Sequence, residues 1–311
     1  MKYLRKFNSI EEYNTFLDSA EYVVPNVCQI GTSAVRYNPI PIPLYVEAIE
    51  DLTVKLSRNA IQYSLDNNVW NDLAANTATP TIPAGNKVYF KANITSPVST
   101  YGIGTFTISG KCNVGGNIMS MIYGDTSMFK GSLPSHAFSQ LFQNASKIVY
   151  ANELQLPSQA SEQCYYYMFS GCTSLIKAPE LPSMQLGRKG YAYMFKDCKS
   201  LVIAPKLPAT ALQMYCYQGM FYGCTSLTRA PELPATNLQQ YSYNRMFENC
   251  TSLNYIKAMF TTTPDSWYSY TTSWVSGVAA AGTFVKNAAA TWDVTGADGV
   301  PEGWTVETAT E

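Results

Sequence analysis

Histidine is almost missing from this sequence: His136 is the only one in 311 residues. Any Ser-His-Asp or Cys-His centre would have to be built on it. It lies in GSLPSHAF, a turn-like stretch where a loop or capping role is expected. H-E-x-x-H and C-x-x-C do not occur, nor does any cluster with metal-ligand spacing, so no metal is expected. The phosphate-cradling G-x-x-x-x-G-K-[ST] is missing too, and the G-x-G at Gly102–Gly104 stands in a β-rich context and reads as a turn. No cofactor is therefore expected. Charge is scarce and balanced, with 14% charged residues and a net charge of -1. That excludes the basic field by which proteins capture nucleic acid. Acids are sparse, and Glu180 and Glu232 occupy a repeat position that Lys206 also fills, which marks a solvated face rather than a glycosidase pair. No apolar run approaches the ~18 residues of a membrane span. The opening MKYLRKFNSIEEYNTFLDSAEYVVPN starts basic but lacks the apolar stretch and small-residue cleavage site of a signal peptide.

Aromatic residues are plentiful, at 13% with 23 tyrosines, and the 46% of hydrophobic residues suffice for a sizeable core. Tyrosine offers large, rigid, amphipathic contact area, so a Tyr-rich, charge-poor surface suits ligand contact. Much of this content sits in an internal repeat. The pairs Met168-Phe169, Met194-Phe195, Met220-Phe221 and Met246-Phe247 recur with a constant 26-residue step within Y-x-x-M-F-x-x-C-x-S-L, and A-P-x-L-P follows in three copies. A worn copy precedes them, with Leu141-Phe142 at the Met-Phe place, Ala145 at the Cys place and Ile148 at the Leu place. The last copy replaces its prolines by Lys257 and Phe260. Edge repeats that differ from inner ones are what capping predicts.

Each copy reads as a short helix and a short strand. Thr210-x-x-Gln213 has the form of a capping box, and Leu212, Tyr215 and Met220 are roughly helix-spaced. Gly171, Asp197, Gly223 and Asn249 share one repeat position and are residue types that tolerate the left-handed conformation ending a helix. Leu227–Ala230 is a candidate strand kept brief by Pro231 and Pro234. The predicted fold is therefore α+β: a leucine-rich-repeat-type solenoid, one short helix plus one short strand per 26-residue coil, preceded by a small β-sandwich-like domain. Residues 1–41 form an N-terminal helix (9–18, with Ser9 and Glu12 as its capping box) and the NPIPIP linker. Residues 42–118 are β-rich, with candidate strands Leu44–Ile49, Leu52–Ser57, Ile61–Ser64, Lys87–Ala92 and Gly104–Ser109. The solenoid covers 119–262, and 263–311 close its end with strands at Thr283–Val285 and Trp304–Val306.

Four of the eight cysteines, Cys172, Cys198, Cys224 and Cys250, fall once per repeat. In a parallel stack they form a column about 4.8 Å apart with Cβ vectors alike, poor geometry for a bridge. Cys164 and Cys216 share a second column two repeats apart, roughly 10 Å, beyond disulfide reach. They read as small buried hydrophobes.

The repeat Y-x-x-M-F-x-G-C-T-S-L-x-x-A-P-E-L-P-A-T resembles the BspA-like leucine-rich repeat of surface proteins in Bacteroides-type bacteria. Two flanking pieces, GKCNVGGNIMSMIYGD and GTFVKNAAATWDVTGADGVPEGWTV, resemble parts found beside such arrays. The resemblance implies a non-catalytic cell-surface or extracellular protein that adheres to host proteins or glycans. The opening MKYLRKFNSIEEYNTFLDSAEYVVPNV is similar to the start of phage or prophage tail-associated proteins, which gives an alternative: a virion-borne receptor-binding protein. Residues outside the core columns are the candidate contacts: Tyr167, Tyr193 and Arg245 at one repeat position, with Gln218 and Tyr222. An enzyme with accessory repeats is the third reading and has least support. Oligomeric state is left open by the sequence.

Overall fold

In the tier that begins at Gln163, alternate amides point to different partners. Tyr166, Met168, Ser170 and Cys172 donate three residues back, to Gln163, Tyr165, Tyr167 and Phe169, at 3.0–3.2 Å. Tyr165, Tyr167, Phe169 and Gly171 donate instead to Gly190, Ala192, Met194 and Lys196 of the next tier, at 2.8–3.2 Å. The same alternation recurs in the tiers around Phe195, Phe221 and Phe247. No amide is left to bond four residues back, so the segment is a run of turns rather than a helix. Every fourth residue bends left-handed to allow this: Gln163, Tyr167 and Gly171, then Lys189, Tyr193 and Asp197, then Tyr215, Gly219 and Gly223, then Tyr241, Arg245 and Asn249. His136, Gln140 and Asn144 do so in the tier before, and Ser269, Ser273 and Gly277 in the tier after. A non-glycine residue held left-handed costs roughly 1–2 kcal/mol. From Gln163 to Asn249, each corner is held in place by a cross-tier bond at it or beside it.

This computed structural model describes residues 5–7, 28–30, 33–35, 42–92, 102–124, 133–262 and 269–309. The expected helix at 9–18 and most of the linker lie outside them. The expected helix-plus-strand solenoid is incorrect. Among the described residues the only α-helix is α1 (Ser120–Tyr123), and it lies outside the tiers. No continuous sheet runs through the tiers either; the strands belong to several small sheets. The helix reading fails because the buried pairs Cys164/Tyr165 and Met168/Phe169, followed by Cys172, recur every four residues. Over so short a stretch that spacing is hard to tell from a helical 3.6.

The chain forms two compact units, Met1–Ile42 and Pro43–Glu311. In the first, β1 (Arg5–Phe7) pairs parallel with β2 (Cys28–Ile30), which pairs antiparallel with β3 (Ser33–Val35). The second opens with β4 (Leu44–Ala48), β5 (Val54–Leu56), β6 (Ile61–Ser64), β7 (Asn71–Leu73), β8 (Lys87–Lys91), β9 (Phe106–Ile108) and β10 (Cys112–Asn117). Then come β11 (Ile148–Gln155), the short pair β12 (Gln159–Ala160) and β13 (Gln185–Leu186), and finally β14 (Tyr255–Ala258), β15 (Thr283–Lys286) and β16 (Thr305–Thr308). The predicted strands at 44–49, 61–64, 87–92 and 283–285 lie where expected. They do not close into a self-contained sandwich. A six-stranded sheet runs β11-β10-β4-β8-β6-β7, with β5 and β9 as a separate ribbon, so β11 ties the β-rich segment to the first tiers. Strand β10 carries Gly115 because Tyr45 lies across it, where a Cβ would come 2.4 Å from the Tyr45 ring, and Gly116 because its φ is 81°.

One core runs from Leu44 to Trp304. Its spine is a column of rings, Phe106, Phe142, Phe169, Phe195, Phe221 and Phe247, with neighbouring centroids 5.2–5.8 Å apart. Beside it run Phe138, Tyr165, Tyr191, Tyr217 and Tyr243, 5.4–6.1 Å apart. Trp274 closes both columns, at 6.3 Å from Tyr243 and 6.2 Å from Phe247, while its indole N–H donates to the Gly299 carbonyl at 2.9 Å. The thiols of Cys172, Cys198, Cys224 and Cys250 are buried and unbridged. They donate to the carbonyls of Phe142, Phe169, Phe195 and Phe221 in the preceding tier at 3.0–3.1 Å. The expected cysteine column is thus present, and each thiol adds a cross-tier bond. No helix among the described residues is long and apolar enough to cross a membrane.

Candidate functional site

Three left-handed corners recur in each tier, and the sequence candidates sit on or beside them. Tyr167 and Tyr193 occupy equivalent corners, at φ 56° and 55°. Both are half-buried, and their rings stack at 4.7 Å with an interplanar angle of 8°. Tyr166 meets Tyr167 edge-on at 4.5 Å. The corner in the next tier is Gly219, and the Tyr193 ring lies over it. Beyond it stands Arg245, exposed and 3.4 Å from Glu248. Burial holds the Tyr193 hydroxyl above its ordinary pKa; Tyr166 adds to this and the Arg245 charge opposes it. Tyr222 lies close by, its ring under Lys196 Nζ at 4.9 Å and its hydroxyl accepting from Asn249 Nδ2 at 3.2 Å. Gln218 donates through Nε2 to Asn244 Oδ1 at 3.1 Å, and its carbonyl accepts the Tyr193 amide at 2.8 Å. Tyr167, Tyr193, Tyr222 and Arg245 therefore form one patch, and Gln218 supports it from below.

A second aromatic pair lies one corner earlier, where sequence reasoning did not look. Tyr215 and Tyr241 stack at 4.5 Å and 8°. Lys189 Nζ is 5.3 Å and Arg188 Cζ 5.5 Å from the Tyr215 ring centre, and Lys189 also reaches the Tyr166 ring at 5.8 Å. The signal was available: Gln163, Lys189, Tyr215 and Tyr241 share a register, each one repeat after the last. In both pairs the rings spend a face on each other, so hydroxyls, ring edges and cations are what they offer to a ligand.

Other candidate chemistry is more fully engaged. Tyr45 donates its hydroxyl to Glu153, Asn113 Nδ2 donates to Glu47 at 3.1 Å, and Lys87 sits 3.7 Å from Glu47. These two carboxylates border a cleft of about 130 Å³ and are held by donors of the protein. Glu232 pairs with Lys257 at 2.9 Å. His136 occupies a left-handed corner of the first tier. Among the described residues, no group of three or more His, Cys, Asp or Glu could hold a metal. Comparison with known proteins finds no matching family model, no matching curated protein and no matching solved structure.

Proposed function

We propose that the chain is a non-catalytic ligand-binding protein, and that the left-handed corners of its tiers carry the binding surface. One observation carries this reading: Tyr167, Tyr193, Tyr222 and Arg245 meet in a patch of hydroxyls and charge, although they come from separate repeats. Stacked tyrosines lose little entropy on binding, and their hydroxyl edges suit the hydroxyls of a host glycan or the backbone of a host protein. The likeness of the repeat to BspA-type surface sequences supports a place at the cell surface or outside the cell. A glycan and host-protein array tests the reading, comparing the chain with a Tyr167→Phe/Tyr193→Phe variant that keeps the ring stack. The expected result is a ligand that the variant binds at least tenfold more weakly. An array without any ligand above background, or a ligand bound equally by both forms, contradicts it.

A second reading places the protein on a phage tail as its receptor-binding component. It is favoured by the separate compact unit at Met1–Ile42, which would serve for docking. Tail and baseplate genes beside this one support it; a polysaccharide-utilisation neighbourhood opposes it.

A further inference from the structure

The A-P-x-L-P segments play no part in the tyrosine patch. Two of them, residues 178–182 and 204–208, border a groove of about 620 Å³ that is also lined by Asn152, Lys177 and Ile203. Within these proline segments the backbone bonds that lace the tiers are missing among the described residues, although Lys177 and Ile203 at the groove's edge still form a parallel bridge. Among the described residues, the amides of Glu180, Leu181, Lys206 and Leu207 make no hydrogen bond. Pro179, Pro182, Pro205 and Pro208 have no amide to offer, and their fixed φ keeps both segments out of a ladder. The equivalent seam further along shows the contrast. There Lys257 and Phe260 replace the prolines, Leu233 donates to the Lys257 carbonyl at 3.0 Å, and Met259 donates to the Leu233 carbonyl at 3.0 Å. Proline thus holds one seam open where its loss closes another.

The open seam has a definite chemistry. Ile203 is 66% exposed, the highest value among the large apolar side chains described, and Ala204 and the prolines of both segments line the groove with it. Lys177 and Lys206 are exposed lining residues that make no ion pair among the described residues, against a single lining acid, Glu180. Unused backbone groups favour an extended polypeptide, which can add its own amides and carbonyls. Apolar side chains beside two unpaired cations favour one that alternates apolar and acidic residues.

We propose that this groove docks an extended segment of a partner protein, its backbone meeting the exposed open amides of Glu180 and Lys206 and its carboxylates meeting Lys177 and Lys206. The site is separate from the tyrosine patch and does not depend on the reading of that patch. The test uses the full chain and fluorescence anisotropy with two labelled peptides, one of alternating Glu and Val, the other of alternating Lys and Val. The Glu peptide should bind and the Lys peptide should bind at least tenfold more weakly. In Lys177→Glu/Lys206→Glu the preference should reverse; both positions are exposed, so the fold is unaffected. Tyr167→Phe/Tyr193→Phe should bind the Glu peptide as the unaltered chain does, which separates the groove from the patch. Equal binding of the two peptides, failure of the Glu peptide to saturate, an unreversed preference, or binding of polygalacturonate in place of the peptide would each overturn the proposal.

Discussion

The ring of Tyr193 lies directly over Gly219 of the next tier, so closely that a Cβ there would come 2.2 Å from Cε1. Gly219 also stands at φ 56°, so an alanine is strained twice, by its backbone and by the ring. Gly219→Ala is expected to destabilise the protein by about 1–3 kcal/mol. It should also swing Tyr193 off its stack with Tyr167. Thermal melting checks the first effect, and tyrosine ring-proton shifts check the second.

Removing one ring from the spine should cost more than any change on the surface. Phe195 is fully buried between Phe169 and Phe221, at 5.7 and 5.8 Å. Phe195→Ala should cost about 3–5 kcal/mol in a denaturant titration, because neighbouring tiers bonded to each other cannot collapse into the space. Val202→Ala, at an exposed site, should stay within about 0.5 kcal/mol.

Stability should fall on the alkaline side. Burial pushes the thiols of Cys112, Cys216 and Cys250 up to about 12, from an ordinary 9.0. Burial likewise pushes up the hydroxyls of Tyr165, Tyr217 and Tyr243. The unfolded chain would release these thiol protons from about pH 9 while the folded chain keeps them to about 12. Their contribution is therefore intact below pH 9 and is lost as pH rises towards 12. A series of melts from pH 7 to pH 11 should show a flat Tm and then a steep decline, with the seven buried thiols from Cys112 to Cys250 unreactive towards a disulfide reagent until that decline begins.

Much of this was legible in the sequence, for physical reasons. The 26-residue period survives because stacked tiers need the same residue at Phe169, Phe195 and Phe221. The left-handed corners at Gly171, Asp197, Gly223 and Asn249 were legible because few residue types tolerate that conformation. The corners at Tyr167, Tyr193 and Tyr215 were not, since tyrosine is no such signal and only the cross-tier bonds hold it there. The tier at 269–278 escaped notice because its corners Ser273 and Gly277 fall later than one repeat after Arg245 and Asn249, and Trp274 replaces the Met-Phe pair. Strand β10, CNVGGN, has the glycines that usually interrupt strands; the Tyr45 ring across Gly115 explains the first and a φ of 81° at Gly116 the second. For the proposed binding surface, the sequence named Tyr167, Tyr193, Tyr222 and Arg245 but not the stacking of the Tyr167 and Tyr193 rings. It displayed the prolines but not the seam they hold open.

The account rests on alternate amides crossing between tiers, since this places the corners and hence both surfaces. A scalar coupling across the hydrogen bond of Phe195, measured by NMR on deuterated protein, tests it most directly. The Phe195 amide should couple to the carbonyl of Met220, 2.9 Å away in the next tier. Coupling to the carbonyl of Tyr191, four residues back as in a helix, would contradict the account.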